Sequence, residues 1–163
     1  GIYKTTKQAC ELIIENYEKI HNLRYTILRF GSLYGPRANE FNWINKVIKN
    51  FKNNKKIVRE TSGNEIRNYI HVEDAAKLSV KSMLPKYKNK YLMLTGSKSI
   101  TIKNILNLLK EISGSKSKFI FENKKKSNDH YNLTPFSFKP RMAIKITLDD
   151  EIDLDQGLYD LIF

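Results

Sequence analysis

Tyr3 and Lys7 open a stretch in which apolar Ala9, Leu12, Ile13 and Tyr17 recur at helical spacing through about His21. Their separation puts a phenol and an ammonium one turn apart on the same face of a helix. A phenol with an ordinary pKa of about 10 is a poor base at neutral pH, and a neighbouring ammonium favours its phenolate form. A phenolate so placed can take a proton from a hydroxyl, and the phenol can return it. Tyr-x-x-x-Lys also arises by chance on any helix, so the pair carries weight only in combination with other motifs.

Two later stretches can hold a ring or an anion. In Leu28-Arg29-Phe30-Gly31-Ser32-Leu33-Tyr34-Gly35-Pro36-Arg37, a strand-like run over 25–30 stops at Gly31, and Gly35-Pro36 marks a turn. Ligands of open α/β sheets collect beyond the carboxyl ends of strands, so a ligand is expected over the loop 31–37. Gly31 allows close backbone approach and Ser32 offers a small hydroxyl; Phe30 and Tyr34 either wall a ring or pack into a core. In Arg67-Asn68-Tyr69-Ile70-His71-Val72-Glu73-Asp74, Arg67 can make two parallel hydrogen bonds to a phosphate, which lysine cannot copy, or simply a surface salt bridge. His71 has no second His or Cys at ligand spacing, so no metal site is expected. Arg141 is either a second phosphate contact or a solvated charge.

The rest of the chain reads as elements that hold these groups. A helix is expected over 42–52, with Ile44, Val47, Ile48 and Phe51 on its apolar side and Asn42 as a cap, its first N–H groups able to face phosphate. A strand at 56–58, a turn at 61–64 and a returning strand at 65–70 would fix Arg67. The next helix runs from Val72 to about Leu84 and ends at Pro85; Glu73 and Asp74 suit its N-terminus, and Ala75, Ala76, Leu78, Val80 and Met83 form its buried side. Beyond it come a strand at 91–94, a helix at 103–112 closed by Gly114, a strand at 119–121, an exposed basic loop at 123–128, a strand at 144–146 and a helix from about 153. Alternating strands and helices make the class α/β.

With 163 residues and 40% hydrophobic content the chain can fold as one packed unit. A single Cys10 excludes an internal disulfide and fits a reducing cytoplasm. No apolar run approaches the roughly 20 residues of a membrane span, and no secretory signal is read at the start. The net charge of +12 allows a nucleic-acid-binding domain as an alternative. Its lysines, however, are scattered among Asn and Ile, as over 49–56, and a pyrophosphate-bearing small molecule would exploit the same charge.

Taken in order, Tyr3 with Lys7, the stretch 28–37, and Arg67 to Ala76 resemble the second half of the extended short-chain dehydrogenases, the NAD-dependent sugar-nucleotide epimerase and dehydratase family. The resemblance implies the end of a Rossmann-type parallel sheet (residues 1–37) joined to a small mixed α/β substrate-binding domain (38–163), with about 65–84 returning to the first. It implies NAD, or NADP, as cofactor and a nucleotide-diphosphate sugar as substrate. Tyr3 would be the acid/base, and Lys7 would hold the nicotinamide ribose. Phe30 and Gly31 would help to line the nicotinamide pocket, and Ser32 would face the substrate. Asn42 would lie near the diphosphate and Arg67 would grip it, with Asn68 replacing the usual Asp and His71 structural. The segment 134–138 and the terminal Asp-Gln-Gly-Leu resemble a subgroup that points to surface-polysaccharide sugars, with Arg141 nearby. The seven glycines are isolated, and the family's Gly-rich phosphate turn precedes its Tyr, so most of the cofactor site is expected upstream of Gly1. The chain would then be an inactive C-terminal portion, or a non-catalytic sugar-nucleotide-binding half, completed by a missing N-terminal half. Pairing of two copies through the helix bearing Tyr3 and Lys7 is a further expectation.

Overall fold

The computed structural model describes residues 2–122 and 143–163, and the expectations for 123–128, 134–138 and Arg141 lie outside them. The first helix, α1 (Ile2–His21), is held by its acidic stripe rather than its apolar one. Glu11 pairs with Arg29 at 2.6 Å, Glu15 accepts from the Tyr91 hydroxyl, and Glu18 accepts from Asn89 at 2.9 Å. Leu12, Ile13, Tyr17 and Ile20 are all more than half exposed, so the apolar spacing marks the outward face.

β1 (Thr26–Phe30) runs into β2 (Ser32–Tyr34) across Gly31, where a loop is expected from sequence. The chain changes sheets there: Phe30 registers with Leu94, and two residues later Ser32 registers with Tyr69. Gly31 permits the change because a Cβ at this position would stand 2.6 Å from the Asn68 carbonyl oxygen. The close approach that the glycine serves is thus to the protein's own backbone.

α2 (Trp43–Lys52) follows, then β3 (Ile57–Arg59), β4 (Ile66–His71) and α3 (Val72–Lys81). β4 does not return on β3, because both of its edges are taken, by β2 in parallel and by β6 (Ser99–Thr101) in antiparallel register. α3 stops earlier than its apolar pattern predicts. Val80 and Met83 are exposed, and Pro85 begins a separate 3-10 turn. Asp74 lies in the first turn of α3 as expected and is fully buried there; its Oδ2 accepts from the Ile152 N–H at 2.9 Å, tying the C-terminal segment to α3. His71 caps α3 by accepting from the Glu73 N–H, in keeping with the structural role that the resemblance implies.

β5 (Lys90–Leu94) lies between β1 and β8 (Ala143–Lys145) in a sheet that is parallel throughout, and α4 (Ile102–Ser113) ends on Gly114 at φ 61°. β7 (Phe119–Phe121) pairs with β3, and α5 (Leu154–Ile162) closes the chain. Two cores result. Ala75 and Leu78 of α3 pack on Leu92 and Leu94 of the parallel sheet, while α2, α4 and α5 share a second core through Phe51, Leu106, Leu109 and Leu158. The fold is α/β with a Rossmann-type parallel sheet. Among the described residues, no helix is long and apolar enough to cross a membrane.

Candidate functional site

An open cavity of about 410 Å³ lies among β2, β3, β4 and the starts of α2 and α4, lined by Ser32, Leu33, Phe41, Asn42, Trp43, Ile44, Arg59, Arg67, Tyr69 and Ile102. Parallel pairing of β2 with β4 sets Ser32 beside Tyr69. Asn42 clips α2 to β2: its Nδ2 donates to the Leu33 carbonyl at 3.0 Å, while its Oδ1 accepts from the Asn45 N–H at 3.2 Å. The amide therefore shapes the cavity wall, and the cap alone accounts for it.

Arg67 reaches the cavity from β4 and donates from Nη1 to the Ile66 carbonyl at 2.9 Å. The cavity shares its lining with a pair of aromatic rings. Trp43 stacks on Tyr69 with centroids 6.4 Å apart and planes 24° apart, and the Arg59 guanidinium lies 5.0 Å from the Trp43 ring centre. Burial pushes the Tyr69 phenol well above the usual range against the pull of Arg67 and Arg59, so it stays neutral. Burial also lowers the pKa of Arg59, partly offset by the charge of Glu65.

Of the residues expected from sequence, the cavity brings together Ser32, Asn42 and Arg67. Tyr3 and Lys7 adjoin each other on exposed α1, with the Lys7 Nζ 5.6 Å from the Tyr3 ring centre, but neither lines the cavity. Phe30 packs with Leu28 against the core beneath the parallel sheet, and Gly31 donates to the Leu94 carbonyl at 2.9 Å. Tyr34, a candidate ring wall, is core instead. It is 2% exposed and edge-on to Tyr69 and His71.

Trp43, Arg59 and Tyr69 are not singled out by sequence. For Arg59 a signal exists: on a strand it shares a face with Ile57, which is buried, while Val58 between them is exposed. Trp43 is the chain's single tryptophan and directly follows the helix cap.

Residues 1–91 match the sequence profile of the NAD dependent epimerase/dehydratase family. The chain belongs to that family. It is 24% identical over 156 residues to a UDP-glucuronate 4-epimerase of Thermodesulfobacterium geofontis, covering 96% of this chain and 47% of that relative. Its fold is shared with a UDP-glucose 4-epimerase of Thermotoga maritima solved with UDP-glucose, at TM-score 0.76 and 19% identity over 96% of this chain and 50% of the other. It is shared equally with a UDP-glucuronic acid 4-epimerase of Bacillus cereus solved with UDP-glucuronic acid and NAD, at TM-score 0.76 and 20% identity over 98% and 52%. The chain thus spans about half the length of the family members it matches.

Proposed function

We propose that this chain is the substrate-binding portion of an NAD-dependent nucleotide-sugar epimerase or dehydratase, holding a UDP-type sugar nucleotide in the cavity around Arg67. The observation that carries the reading is the cavity itself. It brings together an arginine, suited to a diphosphate, and a stacked aromatic pair suited to a base or sugar ring. Because its wall is built within the described residues, binding without catalysis is the narrower form of the same reading.

In the complete catalytic unit Tyr3 would exchange a proton with the sugar hydroxyl. Lys7, one turn away, would favour the anionic phenol and hold the cofactor ribose. The chemistry NAD or NADP supplies when bound is acceptance and return of a hydride. Residues here fit one end of such a cofactor, but the isolated glycines include no turn to cradle its pyrophosphate, which needs a further glycine-rich segment. Among the described residues β1 is an edge of its parallel sheet and can accept that segment as added strands. The outward stripe Ile13, Tyr17 and Ile20 supports pairing of two copies through α1. Residues 1–37 with about 65–84 would belong to the cofactor side and most of 38–163 to the substrate side; the two cores support such a division, with β5 and β8 joining the first. A cytoplasmic role in surface-polysaccharide sugar synthesis goes with this substrate class, on the resemblance of residues 134–138.

Trp43 provides the test. Titration with UDP-glucose is expected to change its fluorescence saturably, because the only indole in the chain lines the cavity. A flat response to UDP-, dTDP-, CDP- and GDP-sugars alike would sink the reading.

A further inference from the structure

Among the described residues Arg59 is only partly compensated. Its Nε is buried without a hydrogen-bond partner, and among the described residues no carboxylate forms an ion pair with it. Glu65, buried at 4% exposure, is the one acid whose charge offsets its desolvation. The guanidinium is nonetheless fixed over the Trp43 ring and lines the same cavity as Arg67. A second arginine beside the first is repelled by it, and a half-buried guanidinium whose buried Nε lacks a partner is costly. Such an arrangement is stabilised when an anion enters.

Resting on the reading of the cavity as a sugar-nucleotide site, we propose that Arg59 is a second diphosphate-binding residue, sharing the pyrophosphate with Arg67. The charges match: a sugar nucleotide carries one negative charge on each phosphate, and the cavity presents one guanidinium from β3 and one from β4. Trp43 sets the plane of the Arg59 fork, so that less rotamer freedom is lost when it donates to phosphate oxygens. Recognition through Arg59 is then indifferent to the base. The incompletely compensated charge is also a stability cost borne for binding, so neutralising Arg59 leaves the empty protein no less stable.

The test is calorimetric titration of wild type, Arg59→Gln, Arg59→Lys and Arg67→Ala with UDP, CDP, dTDP and GDP, alongside thermal unfolding of each unliganded protein. Arg59→Gln is expected to weaken every diphosphate that wild type binds by a similar factor, about 10- to 100-fold, with Arg59→Lys losing less and the unfolding midpoint of Arg59→Gln not lowered. A loss confined to one base makes Arg59 a base reader and overturns the proposal. A lowered midpoint accompanying the loss makes it a structural prop and does the same. Unchanged affinity in Arg59→Gln with loss in Arg67→Ala overturns this inference alone, whereas no binding of any diphosphate by wild type overturns the reading of the cavity with it.

Discussion

Replacing Tyr3 by Phe in the complete, NAD-loaded enzyme is expected to lower kcat by about two to four orders of magnitude, the range of a lost general acid/base. Phenylalanine keeps the ring and hence its contact with the Lys7 ammonium, so the substitution removes the hydroxyl alone. Tyr3 does not line the cavity, so the affinity for the sugar nucleotide should stay within a few-fold of wild type. The signature is therefore a fall in kcat without loss of binding, read by steady-state turnover of UDP-glucose and by direct titration. A kcat within a few-fold of wild type would remove Tyr3 from the chemistry.

The second large effect is on stability. Phe51 is 1% exposed on α2 and belongs to the core shared with α4 and α5. Truncating a buried phenylalanine to alanine costs the transfer of its ring plus the cavity left behind, about 3–5 kcal/mol. For a chain of this size the thermal midpoint should fall by roughly 6–20 °C, measurable by circular dichroism. Because α2 begins at Trp43, with Asn42 as its cap, loosening the helix should also blunt the fluorescence response to UDP-glucose. A midpoint unchanged within a degree or two would mean that the three-helix core is not what holds the cavity wall.

Local signals were legible where they were complete in themselves. Asn42 before an apolar helical run is a cap and Gly114 after one is a terminator; both take those roles, as His71 takes the helix-opening role that the resemblance implies. Legibility failed where a partner distant in sequence decides. The helical spacing of Leu12, Ile13 and Tyr17 finds the helix but not what docks it. α1 is docked by Glu11, Glu15 and Glu18, whose partners Arg29, Tyr91 and Asn89 are read only from the fold. Ser32 to Tyr34 carries turn signals at both ends, and it becomes a strand because β4 presents a parallel edge.

The candidate site divides along the same line. Ser32 and Arg67 belong to stretches whose order resembles a family and Asn42 stands out as a helix cap, so they could be named and they do line one cavity. Arg59 and Trp43 matter through each other and through Tyr69, a contact among α2, β3 and β4 that no short window contains. Asp74 stands in the first turn of α3 as its place suggests, and takes a further role no short window shows, because the C-terminal segment brings Ile152 to it.

The most direct measurement is calorimetric titration of UDP-glucose into this chain and its Arg67→Ala variant, with no added cofactor. Saturable binding by the wild type, weakened about 10-fold or more in the variant, is the predicted result, since a charge-assisted contact to phosphate is lost. Heats of dilution alone for the wild type, or equal affinity in the two proteins, would contradict the claim that the cavity at Arg67 holds the sugar nucleotide.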